Sequence, residues 1–274
     1  MTGKILKAVR ARTPLVHCIT NYVTVNDCAN ALIACGGAPI MADDLGEAAE
    51  ITAICSGLVI NIGTLNKNTI PAMFAAGKRA NELNHSVLLD PVGAGASALR
   101  TDTAKRLIDE VRFSVIRGNV SEIKALAVGG SGARGVDADI ADAVTDDSVS
   151  GIVSLARDFS RRTGAVTAIT GATDIVSDGE KTYVIKNGHP MMAKITGSGC
   201  MLSAVTGAFI AANPSELLDA AAAAVIAMGL CGELAFDRSE KTAAGNSTYR
   251  NLLIDALSSL DAEVLNGGAK YEIF

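Results

Sequence analysis

The chain alternates short aliphatic runs with longer amphipathic ones, and this pattern constrains its fold more than any other feature. Such alternation is typical of βαβ units and of a mostly parallel sheet flanked by helices. Strands are predicted over Leu15–Ile19, 39–42, 57–62, 86–89, 113–116 and 165–169, with a hairpin formed by Asp174–Ser177 and 181–185. Helices are predicted over 23–35, 67–84, 103–111, 148–163, 197–212, 215–237 and 246–260. No linker interrupts the series, so we expect one α/β domain spanning residues 1–274, with the Gly-, Asp- and Ser-rich stretch 129–147 as an exposed loop.

Composition excludes several classes of partner. Of the 274 residues, 49% are hydrophobic and 4% aromatic, and the net charge is −5. An acidic chain without a basic cluster and with few stacking aromatics is not expected to bind nucleic acid. The most apolar run, 220–231, is shorter than the roughly 20 residues that a bilayer span needs, so it predicts a buried helix and no membrane partner.

The cysteines and the N-terminus indicate a reducing compartment. The six cysteines contain no C-x-x-C pair and no zinc spacing, and five of them, Cys18, Cys28, Cys35, Cys55 and Cys231, are best explained as buried and inert. The cationic N-terminus is not followed by the apolar stretch of a secretory signal. The expected location is therefore the cytoplasm.

Polar residues follow three of the predicted strands. Asp90 comes after 86–89, Arg117 after 113–116 and Thr170 after 165–169. In an open α/β sheet the carboxyl ends of the strands share one edge, where ligands bind. We therefore expect these three side chains to meet. Taken alone, Arg117 is either a donor fork for a phosphate or a solvated charge at the sheet edge.

The segment 196–200, Thr-Gly-Ser-Gly-Cys, opens an apolar helix. Its glycines let backbone amides approach an anion, although Gly-x-Gly also occurs at helix starts for tight packing alone. A phosphoryl group suits such a helix N-terminus. Cys200 in the first turn is then a candidate proton acceptor or nucleophile, with a buried, inert thiol as the alternative.

Two carboxylates are candidate Mg²⁺ ligands. Glu122 lies one turn into a helix after Asn119, and Asp90 follows another strand, so both could hold Mg²⁺ through waters. The alternatives are local ones. Asn119 and Glu122 fit a capping box that needs no ligand, and Asp90 before Pro91 fits a turn. Met41 after a strand would ordinarily be core filler.

Seven ordered blocks together resemble the hydroxyethylthiazole kinase family. They are VHCITNYV at 16–23, PIMA at 39–42, NIGTL at 61–65, LDPVGAG at 89–95, IRGN at 116–119, NGHP at 187–190 and TGSGC at 196–200. The resemblance covers about residues 14–235. It implies a ribokinase-like three-layer fold and the ATP- and Mg²⁺-dependent phosphorylation of the hydroxyl of 4-methyl-5-(2-hydroxyethyl)thiazole, in thiamine biosynthesis or salvage. It also implies a homotrimer with the thiazole site near a subunit boundary.

The resemblance also implies a role for individual residues. It implies that the thiazole lies against Met41 and Gly197 with Asn21 nearby, that Arg117 and Thr170 contact the ATP phosphates, and that Asp90 and Glu122 serve Mg²⁺. Together with the local reasoning above, we expect Cys200 to be catalytic and Gly197, Ser198, Gly199 and Cys200 to form an anion hole. The chain departs from the family pattern in three places. Ala172-Thr173-Asp174 replaces the usual Glu-Val-Asp and is expected to alter nucleotide contacts. Ser198 stands where Ala or Thr is common, and the tail after Ser259 has no counterpart; both are expected to matter little.

Three alternative functions stay open at this point. The first is a kinase for another small alcohol such as hydroxymethylpyrimidine. The second is a hydrolase or acyltransferase with Cys200 as nucleophile and His189 folding back as its partner. The third is a sensor that binds nucleotide and thiazole without turnover.

Overall fold

The computed structural model describes residues 1–127 and 146–274, and within them nine strands form one sheet of order β2-β1-β3-β4-β5-β6-β7-β8-β9. The strands are β1 (Leu15–Ile19), β2 (Ala38–Ile40), β3 (Gly57–Asn61), β4 (Ser86–Asp90), β5 (Val115–Asn119), β6 (Val166–Thr170), β7 (Asp174–Ser177), β8 (Thr182–Ile185) and β9 (Tyr271–Ile273). Strands β1 to β6 pair in parallel, and β7 to β9 extend the sheet in antiparallel fashion. The loop predicted over 129–147 lies outside the described residues except for its last two.

Helices connect the parallel strands, as the alternating pattern predicts. The connecting helices are α2 (Val25–Cys35), α3 (Ala48–Ile54), α4 (Thr69–Glu82), α5 (Ala98–Glu110), α6 (Val120–Ala127) and α7 (Asp146–Thr163). Helix α1 (Thr2–Arg12) precedes β1, and α8 (Ser198–Ala212), α9 (Leu217–Lys241), α10 (Asn246–Ser259) and α11 (Ala262–Gly268) lie between β8 and β9. A short 3-10 helix, Pro190–Lys194, precedes α8. Each predicted helix is present with shifted ends, whereas the sequence pattern did not predict α1, α3, α11 or β9.

The side chains of each inner strand alternate between two cores, which makes the fold three-layered. On β3, Leu58 and Ile60 pack with α3 to α7, while Val59 packs with α1, α2 and α8 to α10 on the other face. On β4, Leu89 belongs to the same core as Leu58 and Ile60, and Leu88 belongs to the same core as Val59. A strand buried on both faces reads as a continuous aliphatic run, as these strands do. The predicted three-layer α/β fold with a mostly parallel central sheet is confirmed.

Helix α9 supplies much of the core on one face. It is long and apolar enough to pass a length-and-composition test for a membrane span, but 72% of the tested window is buried inside the fold. Every residue from 220 to 231 is buried. Its run of alanines lets neighbouring elements approach the helix closely. The buried helix predicted over 220–231 is confirmed.

Candidate functional site

The candidate site lies at the carboxyl ends of β3 to β6, as the strand-edge rule predicts. Asp90 is the last residue of β4, and Thr170 is the last residue of β6. Arg117 was expected beyond its strand but lies within β5, because the backbone ladder between β5 and β6 continues past the apolar run until Asn119 pairs with Thr170. The expected meeting of the three side chains occurs despite these shifts.

Asp90 is completely buried and has one oxygen fully engaged. Its Oδ2 accepts hydrogen bonds from Asn61 Nδ2 at 2.8 Å and Ser203 Oγ at 2.7 Å, and Arg117 Nη1 lies 3.6 Å away. Its Oδ1 is buried and has no hydrogen-bond partner among the residues that the structure describes. Burial raises the pKa of Asp90 to about 6, although Arg117 and the two hydrogen bonds favour the ionised form. An orphaned buried carboxylate oxygen indicates a site for a further ligand.

Arg117 links the strand ends to the glycine-rich segment. Its Nη2 donates to Thr170 Oγ1 at 2.6 Å. A Cβ on Gly199 would stand 2.8 Å from Arg117 Nη1 and 2.9 Å from Nη2, so the guanidinium lies directly on the backbone of the 196–200 segment. Only glycine leaves that space. The planar donor fork is therefore held beside the first turn of α8.

The first turn of α8 has the geometry expected of an anion site. Gly197 precedes the helix with φ +83°, a left-handed conformation that glycine adopts without strain, and its missing side chain leaves room for Thr24. No side chain of the described residues caps the helix. The first backbone N–H groups of a helix have no intrahelical partner, so those of α8 are available to a ligand.

Cys200 lies between two asparagine side chains in this first turn. Its Sγ accepts from Asn21 Nδ2 at 3.2 Å and from Asn61 Nδ2 at 3.3 Å, and the residue is half-buried. A role for Asn61 was not predicted from the sequence. The available signal was its place at the end of β3, opposite Asp90 in the register. Two amide donors aimed at one sulfur fix its position beside the start of α8.

The other five cysteines are buried, as predicted. Burial raises the pKa of Cys55 to about 11 and of Cys35 and Cys231 to about 12. It also raises the pKa of Cys28 to about 12 and that of Cys18 still further. Thiols of this kind stay protonated and unreactive at neutral pH.

Glu122 forms the capping box that the sequence offered as its local explanation. Its Oε2 accepts from the Asn119 backbone N–H at 2.8 Å, and Asn119 Oδ1 accepts from the Glu122 N–H at 2.8 Å. Its Oε1 accepts from the Gly93 N–H, also at 2.8 Å. Each carboxylate oxygen still has a second lone pair. Glu122 thus holds the loop after β4 against α6.

A closed metal cage of three or more His, Cys, Asp or Glu side chains is absent from the described residues. Mg²⁺ does not require one, because it usually keeps several waters and binds one or two carboxylates together with substrate phosphates. Asp90 fits that mode of binding, because no group in the described part of the chain bonds its buried Oδ1. Glu122 fits it only through the lone pairs that the capping box leaves free.

A cavity of about 510 Å³ extends from the Arg117 side chain. Besides Arg117, its lining includes Thr170, Ala172, Asp174, Ser198, Gly199, Asn187, His189, Met192, Val225 and Met228. Asp174 Oδ1 accepts from the Gly171 N–H at 2.9 Å, and burial raises its pKa to about 7. The cavity thus has cationic and backbone-amide donors in one part and apolar walls in another, a combination common in small-molecule sites.

Met41 and His189, two residues singled out from the sequence, have surroundings that differ from those expected. Met41 follows β2 and packs, half-buried, against the core that Cys200 also contacts. His189 stacks on Phe236 with ring centroids 3.7 Å apart, and its Nδ1 accepts from the Met191 N–H. His189 therefore does not partner Cys200, and the described structure gives the cysteine-nucleophile alternative no base.

Comparison with known proteins places this geometry in a family. A sequence model of the Hydroxyethylthiazole kinase family matches residues 6–263. A hydroxyethylthiazole kinase of Clostridium acetobutylicum is 58% identical over 269 residues, which cover 98% of each chain. One from Clostridium beijerinckii is 50% identical over 263 residues, covering 96% of this chain and 94% of the relative.

Solved structures agree with the sequence comparison. A hydroxyethylthiazole kinase protein of Pyrococcus horikoshii OT3 superposes with a TM-score of 0.87 at 34% identity, covering 100% of this chain and 98% of that one. A pyridoxal kinase of Staphylococcus aureus, at 14% identity, TM-score 0.58 and coverage of 80% and 88%, shares the fold alone. The predicted ribokinase-like fold is confirmed. The chain belongs to the hydroxyethylthiazole kinase family that its sequence blocks resemble.

Proposed function

We propose that the chain transfers the γ-phosphoryl group of ATP to the hydroxyl of 4-methyl-5-(2-hydroxyethyl)thiazole, a step of thiamine biosynthesis. One observation carries the proposal: the Arg117 guanidinium lies against the Gly199 backbone at the uncapped start of α8, with Cys200 in the same turn. Cation, backbone amides and proton acceptor are thus assembled within one helical turn. Membership of the kinase family supports the same reaction.

The large cavity is the proposed ATP site. Arg117 and Thr170 would contact the phosphates, and the backbone N–H groups of Gly197, Ser198, Gly199 and Cys200 would form the anion hole. Charge in phosphoryl transfer spreads over the oxygens of the migrating group, and fixed amides stabilise it without reorganising. The bond between Arg117 and Thr170 supports this assignment, because it holds the fork in place before substrate arrives.

Cys200 is the proposed catalytic base. As a thiolate, its Sγ would take the proton of the substrate hydroxyl while the oxygen attacks the γ-phosphorus. The bond from that phosphorus to the oxygen bridging to the β-phosphate breaks, and ADP leaves with the electron pair. The amides of Asn21 and Asn61 would hold the sulfur in position during the transfer.

Asp90 and Glu122 are the proposed residues that would hold Mg²⁺, with Asp90 using its unpartnered Oδ1. When bound, Mg²⁺ neutralises charge on the transferring phosphates. Arg117 lies beside Asp90 and partly balances its charge before the metal arrives.

The proposed thiazole site involves Asn21, Gly197 and Met41. Gly197 leaves space that the Thr24 side chain enters, and Thr24 Oγ1 donates to Asn21 Oδ1 at 3.0 Å, so Asn21 and Gly197 share one region.

The neighbouring Tyr22 is 78% exposed. In the proposed homotrimer each of the three copies would cover Tyr22 of its neighbour, which places the thiazole near the subunit boundary. We further propose a single cytoplasmic kinase domain over residues 1–274.

A coupled assay of ADP release over a panel of alcohols tests the substrate, with hydroxyethylthiazole, hydroxymethylpyrimidine and pyridoxal as acceptors and Mg²⁺ present. The proposal expects turnover with the thiazole alcohol to exceed that with the other two. Higher turnover with hydroxymethylpyrimidine would assign the chain to the alternative kinase class. Sedimentation of the native protein at a monomer mass would contradict the trimer.

A further inference from the structure

One wall of the large cavity is made by four consecutive residues, 187–190, which follow β8. Gly188 in this wall has φ +137°. The stacking of His189 on Phe236 gives the segment one contact with α9. We call this segment the 187–190 wall. Its first three residues have no regular secondary structure and Pro190 opens the short 3-10 helix, so the position of the wall depends on what surrounds it.

The C-terminal tail provides two of those surrounding contacts through one buried side chain. Asn187 Nδ2 donates to the Gly268 carbonyl oxygen at 2.9 Å, and Asn187 Oδ1 accepts from the Lys270 backbone N–H at 2.8 Å. The amide of Asn187 thus binds the tail as a backbone peptide group would. The tail is itself anchored, because β9 pairs with β8 and the Lys186 N–H donates to the Lys270 carbonyl oxygen at 2.8 Å.

Glu233 on α9 joins the tail to the same wall. Its Oε1 accepts from the Gly188 N–H at 2.9 Å and from Asn187 Nδ2 at 3.2 Å, and its Oε2 accepts from Lys270 Nζ at 2.6 Å. One turn earlier on α9, a Cβ on Gly229 would stand 2.7 Å from the Asn187 carbonyl oxygen. The wall is therefore pressed onto the helix and tied to the tail by one carboxylate.

We propose that Glu233 and Lys270 are positioning residues for the nucleotide, acting by fixing the 187–190 wall. The inference rests on the proposed ATP site in the large cavity. Neither residue lines that cavity, and Lys270 lies beyond the 6–263 family match. The tail after Ser259, expected from sequence to matter little, then contributes to nucleotide affinity. A wall that is already held in its bound position loses less conformational entropy when the nucleotide binds, and the affinity is higher for that reason.

Calorimetric titration with a non-hydrolysable ATP analogue tests the inference. Glu233→Ala removes the acceptor of the Gly188 N–H and is expected to raise the Kd about tenfold, while Lys270→Met removes one ion pair and is expected to raise it about threefold. Glu272→Ala is the matched control. It deletes an equal charge and the exposed Lys186–Glu272 pair at the same sheet edge, and its Kd should equal that of the parent.

Three further readouts separate the outcomes. The melting temperature of Lys270→Met and its KM for the thiazole alcohol should stay near those of the parent, whereas hydrogen exchange at the Gly188 amide should accelerate. Unchanged Kd in both variants, with the parent binding the analogue, would overturn the inference and leave the proposed function standing. A parent that does not bind the analogue would overturn the proposed ATP site itself. If Glu233→Ala fails to fold, Lys270→Met alone decides.

Discussion

Asn61 Nδ2 lies 2.8 Å from Asp90 Oδ2, and the two residues are direct partners in the register of β3 and β4. The second hydrogen of the same amide points to Cys200 Sγ at 3.3 Å. Asn61 Oδ1 accepts from Asn21 Nδ2 and from the Gly63 N–H, so the amide has one favourable orientation. A single side chain thus sets the relative positions of the proposed base and the proposed metal ligand.

Replacing Asn61 should therefore reduce turnover. Asn61→Ala removes a donor from both Asp90 and Cys200, and we expect kcat to fall at least tenfold, because small displacements of catalytic groups cost about that much or more. Steady-state kinetics with ATP and the thiazole alcohol provides the measurement. The control is Asn30→Ala, since the hydrogen bonds of the exposed Asn30 amide to described residues all go to Asn26 of its own helix. Equal kcat values for the two variants would contradict the role of Asn61.

Two substitutions of the proposed base, Cys200, should affect turnover to different extents. Cys200→Ala should lower kcat about 10²-fold, within the usual contribution of a general base, while Cys200→Asp should retain much of the activity because a carboxylate also accepts the proton. Single-turnover rates in both variants provide the measurement. A Cys200→Ala enzyme as fast as the parent would remove the thiol from the mechanism.

Burial of Asp90 predicts the acid side of the pH profile. Its pKa is raised to about 6, whereas an aspartate in the unfolded chain has a pKa near 4. The proposed metal ligand is the ionised carboxylate, so kcat/KM should fall as the pH drops through about 6. A proton and Mg²⁺ compete for this carboxylate, so raising the Mg²⁺ concentration should move this acid limb of the pH profile, the range in which kcat/KM falls, to lower pH. A limb near the ordinary aspartate pKa at low Mg²⁺ would contradict the assignment.

Ser203 provides a variant that shifts the same limb. Its hydroxyl donates to Asp90 Oδ2 at 2.7 Å and favours the ionised carboxylate, so Ser203→Ala should raise the pKa of Asp90 and move the limb to higher pH. Thr206→Val is the matched control. It deletes a buried hydroxyl one turn further along α8 and should leave the pH dependence unchanged, because among the described residues that hydroxyl bonds the Leu202 carbonyl oxygen alone. Identical profiles for the two variants would refute the link between Ser203 and Asp90.

Gly199 should tolerate no side chain. In Gly199→Ala the new Cβ would stand within 3 Å of two Arg117 nitrogens, so the guanidinium must move, and kcat/KM for ATP should fall about tenfold or more. The comparison variant is Gly245→Ala, because no atom of the described residues lies within 4 Å of a Cβ at that position. Kinetics at varied ATP, together with melting temperatures, separates lost binding from lost folding. Unchanged ATP kinetics in Gly199→Ala would show that Arg117 needs no fixed position.

Hydrophobic periodicity predicted where the central strands and the main helices lie along the chain, because strands buried on both faces form clear aliphatic runs. It did not predict α3, whose seven residues are too few for a helical period. Strand β9 was missed because its side chains are exposed and its partner, β8, lies far away in the sequence. Strand ends were misplaced where polar residues such as Arg117 continue the backbone ladder.

The site was predictable as far as the strand-edge rule reaches. That rule brought Asp90, Arg117 and Thr170 together, and their contacts bear it out. Ser203 was not predictable, since a serine inside an apolar helix gives no sign of the carboxylate it meets. Asn61 needed the register of β3 and β4, which aliphatic runs do not reveal. The role of the tail depends on contacts between residues 187 and 270, a separation over which local patterns say nothing.

Phosphorus NMR of one reaction mixture tests the central claim most directly. ATP, Mg²⁺ and 4-methyl-5-(2-hydroxyethyl)thiazole are incubated with the protein, and the γ-phosphate signal is followed. The account predicts a new phosphate monoester resonance that grows in equal proportion to ADP. ADP accompanied by inorganic phosphate, or an unchanged ATP spectrum, would contradict it.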